Sequence, residues 1–257
     1  ERRSSSVSNH STPLFFNPST HGISTMGVSS SAQASKENDW PYVAVICDPE
    51  YLDWRSKSQT IDEIMQFIRQ KQSELPVQIS DTVFLSDAAS TKNIERLKEL
   101  GVTHVLNVAG KAASVVSEET YSKAGITLKV ISAEDEEGYP MLASHLIECR
   151  EFIASARDKG GKCVVHCVAG INRSGVIVAA EKMLTERINV LETVAHCRLQ
   201  RGNVYLNNAS FIEELVALAR KEGLLGPKPG EPGCIVTEAP PSFKDAPPKP
   251  TIRSLFG

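Results

Sequence analysis

Three things are scarce in this 257-residue chain. No apolar stretch approaches the about 18 consecutive residues that a membrane helix requires, so no bilayer span is expected. Charge of one sign is lacking too: 28 Lys and Arg stand against 31 Asp and Glu, a formal net charge of -3. That balance gives no reason to expect nucleic acid or an anionic membrane as the main partner. Paired cysteines are also absent. Cys47, Cys149, Cys163, Cys167, Cys197 and Cys234 never form a C-x-x-C pair, which argues against a structural zinc site and, at this length, against a disulfide framework. The expected setting is reducing: the cytoplasm, with the nucleus left open. Glu1 rather than Met stands first, which leaves a removed leader or a larger parent chain open.

What is present divides into tails and a body. Residues 1–38 are serine-rich without periodic apolar positions and are expected to be disordered. From residue 225 onward the chain carries Pro227, Pro229, Pro232, Pro240, Pro241, Pro247, Pro248 and Pro250, and a disordered proline-rich tail is expected there. Between them, Tyr42–Ile46 reads as a short buried strand, and Ile61, Ile64, Met65 and Ile68 as a helical stripe. Residues 39–78 are therefore expected to form an extension packed on the main domain, residues 79–224.

In that domain strands and helices alternate. Residues 83–85, 102–108, 126–131 and 162–166 read as strands. Helices are expected over 92–100, over 174–187, near 190–200 and over 209–221. Another carries Leu142, Leu146, Cys149, Ile153 and Ala156 on one side. The pattern implies an α/β fold with a mostly parallel central sheet flanked by helices. Ligands in such sheets bind at the carboxyl ends of the strands.

One segment carries chemistry: Val164-Val-His-Cys-Val-Ala-Gly-Ile-Asn-Arg-Ser-Gly175. An apolar strand runs into a cysteine, five residues, an arginine and a helix start. A loop entering a helix N-terminus aims several backbone N–H groups at one point, and the helix dipole adds positive potential there. Gly170 suits the turn, Gly175 suits close packing, and Arg173 offers a planar fork for two phosphate oxygens. Cys167, facing those N–H groups, is expected to ionise below an ordinary thiol and to act as a nucleophile toward phosphorus. A bare Cys–Arg spacing is weak, and a buried, apolar-like cysteine is the competing role. The preceding strand, His166, Gly170 and the Arg-Ser-Gly opening of a helix carry the functional reading.

This segment resembles the phosphate-binding loop H-C-x-x-G-x-x-R-S of the dual-specificity protein phosphatases, within the cysteine-based protein tyrosine phosphatase superfamily. The likeness runs from about Ile79 to Leu218 and includes Val83-Phe-Leu-Ser-Asp87, His104-Val-Leu-Asn-Val-Ala109 and Ala133-Glu-Asp135 in the familiar order. It implies the family fold, with the phosphate-binding loop between a strand and a helix. It also implies that Cys167 is the nucleophile forming a phosphocysteine. Arg173 and the main-chain N–H groups of Val168, Ala169, Gly170, Ile171, Asn172 and Arg173 would hold the phosphoryl oxygens. Ser174 would bond the leaving thiolate. Asp135, 32 residues before Cys167, would be general acid and then base. Glu134, Glu136 and Glu137 surround it, so a merely solvated acidic loop is the rival reading and Glu136 the next candidate. His166 would orient the loop; read alone, it is a histidine satisfied by backbone groups. Asn107 would brace the loop from behind or simply end its strand. Asn172 departs from the serine that relatives often carry.

The expected function is a metal- and cofactor-independent phosphoprotein phosphatase, an atypical member. No N-x-Y type phosphotyrosine-recognition segment precedes the catalytic region, so phosphoserine and phosphothreonine are expected substrates beside phosphotyrosine. The loop holds no lysine, against an inositide substrate. No carbohydrate-binding module is recognisable, against a glucan one, and the ordered residues before Ile79 are too few for a full kinase-docking domain. The alternatives are a catalytically weak phosphoprotein-binding or scaffolding protein of the same fold, and a phosphatase acting on a non-protein phosphate ester. The expected partners are a phosphorylated protein and, for the proline-rich tail, an SH3- or WW-type module.

Overall fold

The computed structural model describes residues 27–48, 75–240 and 242. At its centre lies a sheet of β1 (Val77–Gln78), β2 (Val83–Ser86), β3 (Val102–Asn107), β4 (Thr127–Val130) and β5 (Lys162–His166). The strands run in the order β1-β2-β5-β3-β4, with β1 antiparallel to β2 and every other pairing parallel. Helices connect and cover them: α1 (Gly27–Cys47), α2 (Ile94–Glu99), α3 (Glu118–Lys123), α4 (Met141–Asp158), α5 (Arg173–Glu186), α6 (Val190–Arg201) and α7 (Ala209–Lys221). This is the mixed, mostly parallel α/β architecture that the alternation of strands and helices predicts.

Both faces of the sheet are covered, which is why β2, β3 and β5 read as nearly unbroken apolar runs. Successive side chains leave a strand on opposite faces. Val83, Leu85, Cys163, Val165 and Leu106 enter the larger core beneath α4, α5, α6 and α7, whereas Phe84, Val164 and Val105 join Leu97, Tyr121 and Ile126 in a smaller one. β5 is the middle strand: Val164 sits opposite Phe84 on one side and Val105 on the other. The chain therefore leaves β5 at the centre of the sheet's carboxyl edge, and Cys167 is its first residue out.

Helix α5 is the buried axis of the larger core. Every residue from Ser174 to Met183 is buried, Glu181 and Lys182 included. Glu181 is held by Arg150 Nε at 2.7 Å and accepts from Thr185 Oγ1 at 2.9 Å; Lys182 Nζ meets Glu186 at 2.6 Å. Such pairing is what allows charges inside a core.

The structure corrects three expectations. Tyr42–Ile46 is not a strand but the end of α1. Asp39, Tyr42, Val43 and Ile46 repeat at helical spacing and are buried, and an apolar run of five residues does not distinguish strand from helix. Tertiary partners decide the matter: Asp39 pairs with Arg220 at 3.0 Å, and Arg198 donates to the Ile46 carbonyl. Because α1 starts at Gly27, residues 27–38 belong to a helix and not to a disordered tail. Likewise, residues 225–240 are not free of the body. Val236 is 4% exposed, Leu225 and Cys234 pack on the core, and Tyr42 Oη donates to the Gly226 carbonyl at 2.9 Å. The proline content masked these few anchoring side chains. The helical stripe expected at Ile61–Ile68 lies outside the described residues. Among the described residues no helix is long and apolar enough to cross a membrane.

Candidate active site

The residues following β5 form a tight loop whose carbonyls are all tied outward. Val168 O accepts from Ala88 N at 3.1 Å and Ile171 O from Leu206 N at 3.3 Å. Ala169 O and Gly170 O accept from one guanidinium, that of Arg201, at 2.9 and 3.0 Å. With the acceptors turned out, the loop's N–H groups face inward. Gly170 is required at its position: φ is +65°, and a Cβ would fall 2.6 Å from the Ser86 carbonyl oxygen. Gly175 lets the helix start approach Tyr205, whose hydroxyl donates to the Gly175 carbonyl at 2.7 Å.

Cys167 lies at the floor of this loop and is 1% exposed. Burial opposes its ionisation. It is outweighed by the Ser174 hydroxyl, which donates to Sγ at 3.2 Å, and by the backbone N–H groups of Ser174, Ile171 and Gly170. The thiol is held below its ordinary value, as expected of a thiolate surrounded by donors. His166, also buried, points Nδ1 at the Cys167 carbonyl at 3.0 Å, so Nδ1 carries the proton. Burial lowers its pKa, against the opposing effects of the Cys167 backbone bond and Asp87.

Arg173 opens α5 and reaches the segment between β4 and α4. Its Nη1 donates to the Ala133 carbonyl at 3.1 Å, and its Nε lies 3.6 Å from Asp135 Oδ2. That Nε is buried and makes no hydrogen bond; its ion-pair partner is the Asp135 carboxylate. Asp135 belongs to the loop between β4 and α4, where Ala133 is buried as its anchor. Asp135 Oδ1 accepts from Asn208 Nδ2 at 3.3 Å. The neighbouring Glu136 accepts from the same Asn208 Nδ2 through its backbone carbonyl, at 3.4 Å.

The structure thus joins Cys167 to Ser174, and Arg173, the residue before Ser174, to Asp135. Asn107 is placed differently. Its side chain bonds Gly110 O and Ser114 Oγ, each at 2.9 Å, and Ala109 N at 2.8 Å. It braces the turn after β3 rather than the cysteine loop. Two residues escaped sequence reasoning. Arg201 continues the buried stripe Val190, Val194, Cys197 of α6, so a charged residue at a core position was its signal. Asn208 caps α7, and an asparagine ahead of a helical pattern was its only mark. Two cavities elsewhere, of about 620 Å³ beside β1 and α6 and about 720 Å³ between α1 and α7, contain no residue of the cysteine loop. Among the described residues no group of three or more His, Cys, Asp or Glu could hold a metal ion.

Residues 83–221 match the family model described as the dual specificity phosphatase catalytic domain. That is more than half of the chain, and the chain belongs to this family. Dual specificity protein phosphatase 26 of Bos taurus is 32% identical over 140 residues, 54% of this chain and 64% of that protein. Dual specificity protein phosphatase 1 of Arabidopsis thaliana is 29% identical over 150 residues, 58% of this chain and 72% of that protein. The chain thus spans under two thirds of the length of the first of these. The solved structure of human DUSP28 superposes with a TM-score of 0.51 at 22% identity, covering 58% of this chain and 97% of that one. DUSP15 superposes with a TM-score of 0.50 at 24% identity, covering 58% and 90%. These two likenesses concern the fold.

Proposed function

We propose that the chain is a phosphoprotein phosphatase that hydrolyses phosphotyrosine, phosphoserine and phosphothreonine through a cysteinyl-phosphate intermediate. The observation that carries this reading is a buried cysteine sulfur that accepts from the Ser174 hydroxyl at 3.2 Å and from the backbone N–H groups of Gly170, Ile171 and Ser174, at the start of a helix that Arg173 opens.

In the first step the Cys167 thiolate attacks phosphorus, and the bond to the substrate oxygen breaks. Asp135 delivers its proton to that oxygen, so the leaving group departs neutral. Arg173 and the N–H groups of residues 168–173 bear the charge spread over the phosphoryl oxygens, doing in the transition state what a metal ion does in other phosphoryl-transfer sites. In the second step Asp135, now a carboxylate, takes a proton from water as the water oxygen attacks phosphorus. The sulfur leaves as a thiolate, and the Ser174 hydroxyl at 3.2 Å receives its returning charge. The position of Asp135, whose Oδ2 lies 3.6 Å from Arg173 Nε, supports it as the acid.

The test is hydrolysis of p-nitrophenyl phosphate in excess EDTA, with and without vanadate, by the wild type and Cys167→Ser. Turnover is expected to persist in chelator, to stop with vanadate, and to fall at least about 10³-fold in the variant. Activity that vanished with chelator would point to a metallophosphatase instead. Phosphopeptides and phosphoinositides assayed side by side then separate a protein from a non-protein substrate. The proline-rich stretch from Pro240 onward is proposed as a ligand for an SH3- or WW-type module, and a pull-down with such modules, with and without residues 240–257, tests it.

A further inference from the structure

Asn208 stands just ahead of helix α7, and this residue does two things at once. Its Oδ1 caps the helix, accepting from Ser210 N at 3.1 Å and Phe211 N at 3.3 Å. Two N–H donors on one end of the amide settle which end is oxygen. The NH2 end therefore faces the other way, where it meets Asp135 Oδ1 at 3.3 Å and the Glu136 carbonyl at 3.4 Å. The backbone of Asn208 is itself tied to the cysteine loop. Asn172 Oδ1 accepts from Asn207 N at 2.9 Å and from Asn208 N at 3.1 Å. A polar chain thus runs from the residue before Arg173, through residue 208, to the carboxyl of Asp135. The next residue but one on α7, Ser210, holds the far end of the same acidic loop by accepting from Gly138 N at 2.7 Å.

We propose that Asn208 is a positioning residue for the general acid: its amide N–H holds Oδ1 of Asp135 and so fixes the orientation of the carboxyl, whose Oδ2 lies 3.6 Å from Arg173 Nε. This rests on the reading of Asp135 as the acid. The carboxyl held in this way passes its proton to the leaving oxygen. The carboxylate that remains keeps the Asn208 bond and accepts the proton of the attacking water in the second step. The cap fixes the donor, and the donor fixes the carboxyl.

The decisive variant is Asn208→Ser. Serine also caps helices, so α7 keeps its first turn while the NH2 donor is lost. With phenyl phosphate, whose leaving group needs a proton, kcat/KM is expected to fall about tenfold, and with p-nitrophenyl phosphate, whose leaving group needs little help, by less than about twofold. In an Asp135→Ala background the same substitution should change phenyl phosphate turnover by less than about twofold, because the group it positions is gone. Equal losses on the two esters, or a loss that persists without Asp135, would mean a merely structural role and overturn the proposal. So would unchanged turnover of phenyl phosphate by Asn208→Ser when Asp135→Ala is impaired. If Asp135→Ala is itself unimpaired on phenyl phosphate, the acid assignment fails and this proposal fails with it.

Discussion

Cys163 and Cys167 stand four residues apart on the same stretch of chain, both essentially without exposure, yet their chemistry runs in opposite directions. Burial pushes the Cys163 thiol far up, with Cys149 and Glu181 adding to the effect. The other core cysteines behave similarly: Cys149 and Cys197 are each pushed up to about 12, chiefly by burial. Cys167 is as buried but is pulled below its ordinary value. The difference is the supply of donors. Cys163 lies inside a strand, where a single backbone N–H, that of Leu106, opposes the effect, and its own sulfur donates to the Val164 carbonyl at 3.7 Å. Cys167 lies one residue past the strand end, where the N–H groups of Gly170, Ile171 and Ser174 and the Ser174 hydroxyl all reach it. Removal from water makes a thiol inert where too few donors replace the water.

The sharpest way to probe the contrast is to remove each sulfur in turn. Cys167→Ser should lower kcat/KM at least about 10³-fold. Cys163→Ala should leave kcat/KM within about threefold and cost about 1 kcal/mol of stability in urea unfolding. A large loss of turnover in Cys163→Ala would break the comparison.

A second route is to make Cys167 resemble Cys163 by spoiling the loop. Gly170→Ala puts a Cβ 2.6 Å from Ser86 O at a φ of +65°. The loop must shift, costing about 2 kcal/mol, and the inward N–H groups move off the sulfur. We expect kcat/KM to fall about 10²-fold and iodoacetamide alkylation of Cys167 to require a higher pH than in the wild type. Alkylation at the wild-type pH would show that the N–H groups are not what acidifies the thiol.

The smallest effect is expected from Ser174→Ala. The hydroxyl favours the thiolate, so its loss raises the Cys167 pKa. Reaction needs the thiolate, and the acid limb of kcat/KM therefore moves to higher pH. The deficit is severalfold at acid pH and closes once pH exceeds the new value, since kcat/KM excludes the later breakdown of the intermediate. A deficit uniform across pH would assign Ser174 a different part.

Much of the fold could be read from periodicity. Leu142, Leu146, Cys149, Ile153 and Ala156 mark the buried face of α4, and the run from Lys162 to His166 is β5, because each pattern has the length and period of one element alone. The run Tyr42–Ile46 has no such signature, and only its neighbours on α6 and α7 make it helical. In the site, Cys167, Arg173 and Ser174 share one contiguous segment and were therefore visible together. Asp135 was visible only through its A-x-D setting among four acids. Arg201 and Asn208 lie 34 and 41 residues beyond Cys167, and nothing local ties either to the cysteine.

Local chemistry by itself determined the cysteine loop: a strand, a glycine at positive φ, an arginine and a helix start are encoded within one short stretch, because backbone geometry is set by adjacent residues. Folding alone decided which donors hold that loop's carbonyls outward, which oxygen of Asp135 is engaged, and which of two equally buried sulfurs becomes acidic. Those outcomes depend on groups that meet across the sheet and between α6 and α7, and contact at that range comes from packing rather than from position along the chain.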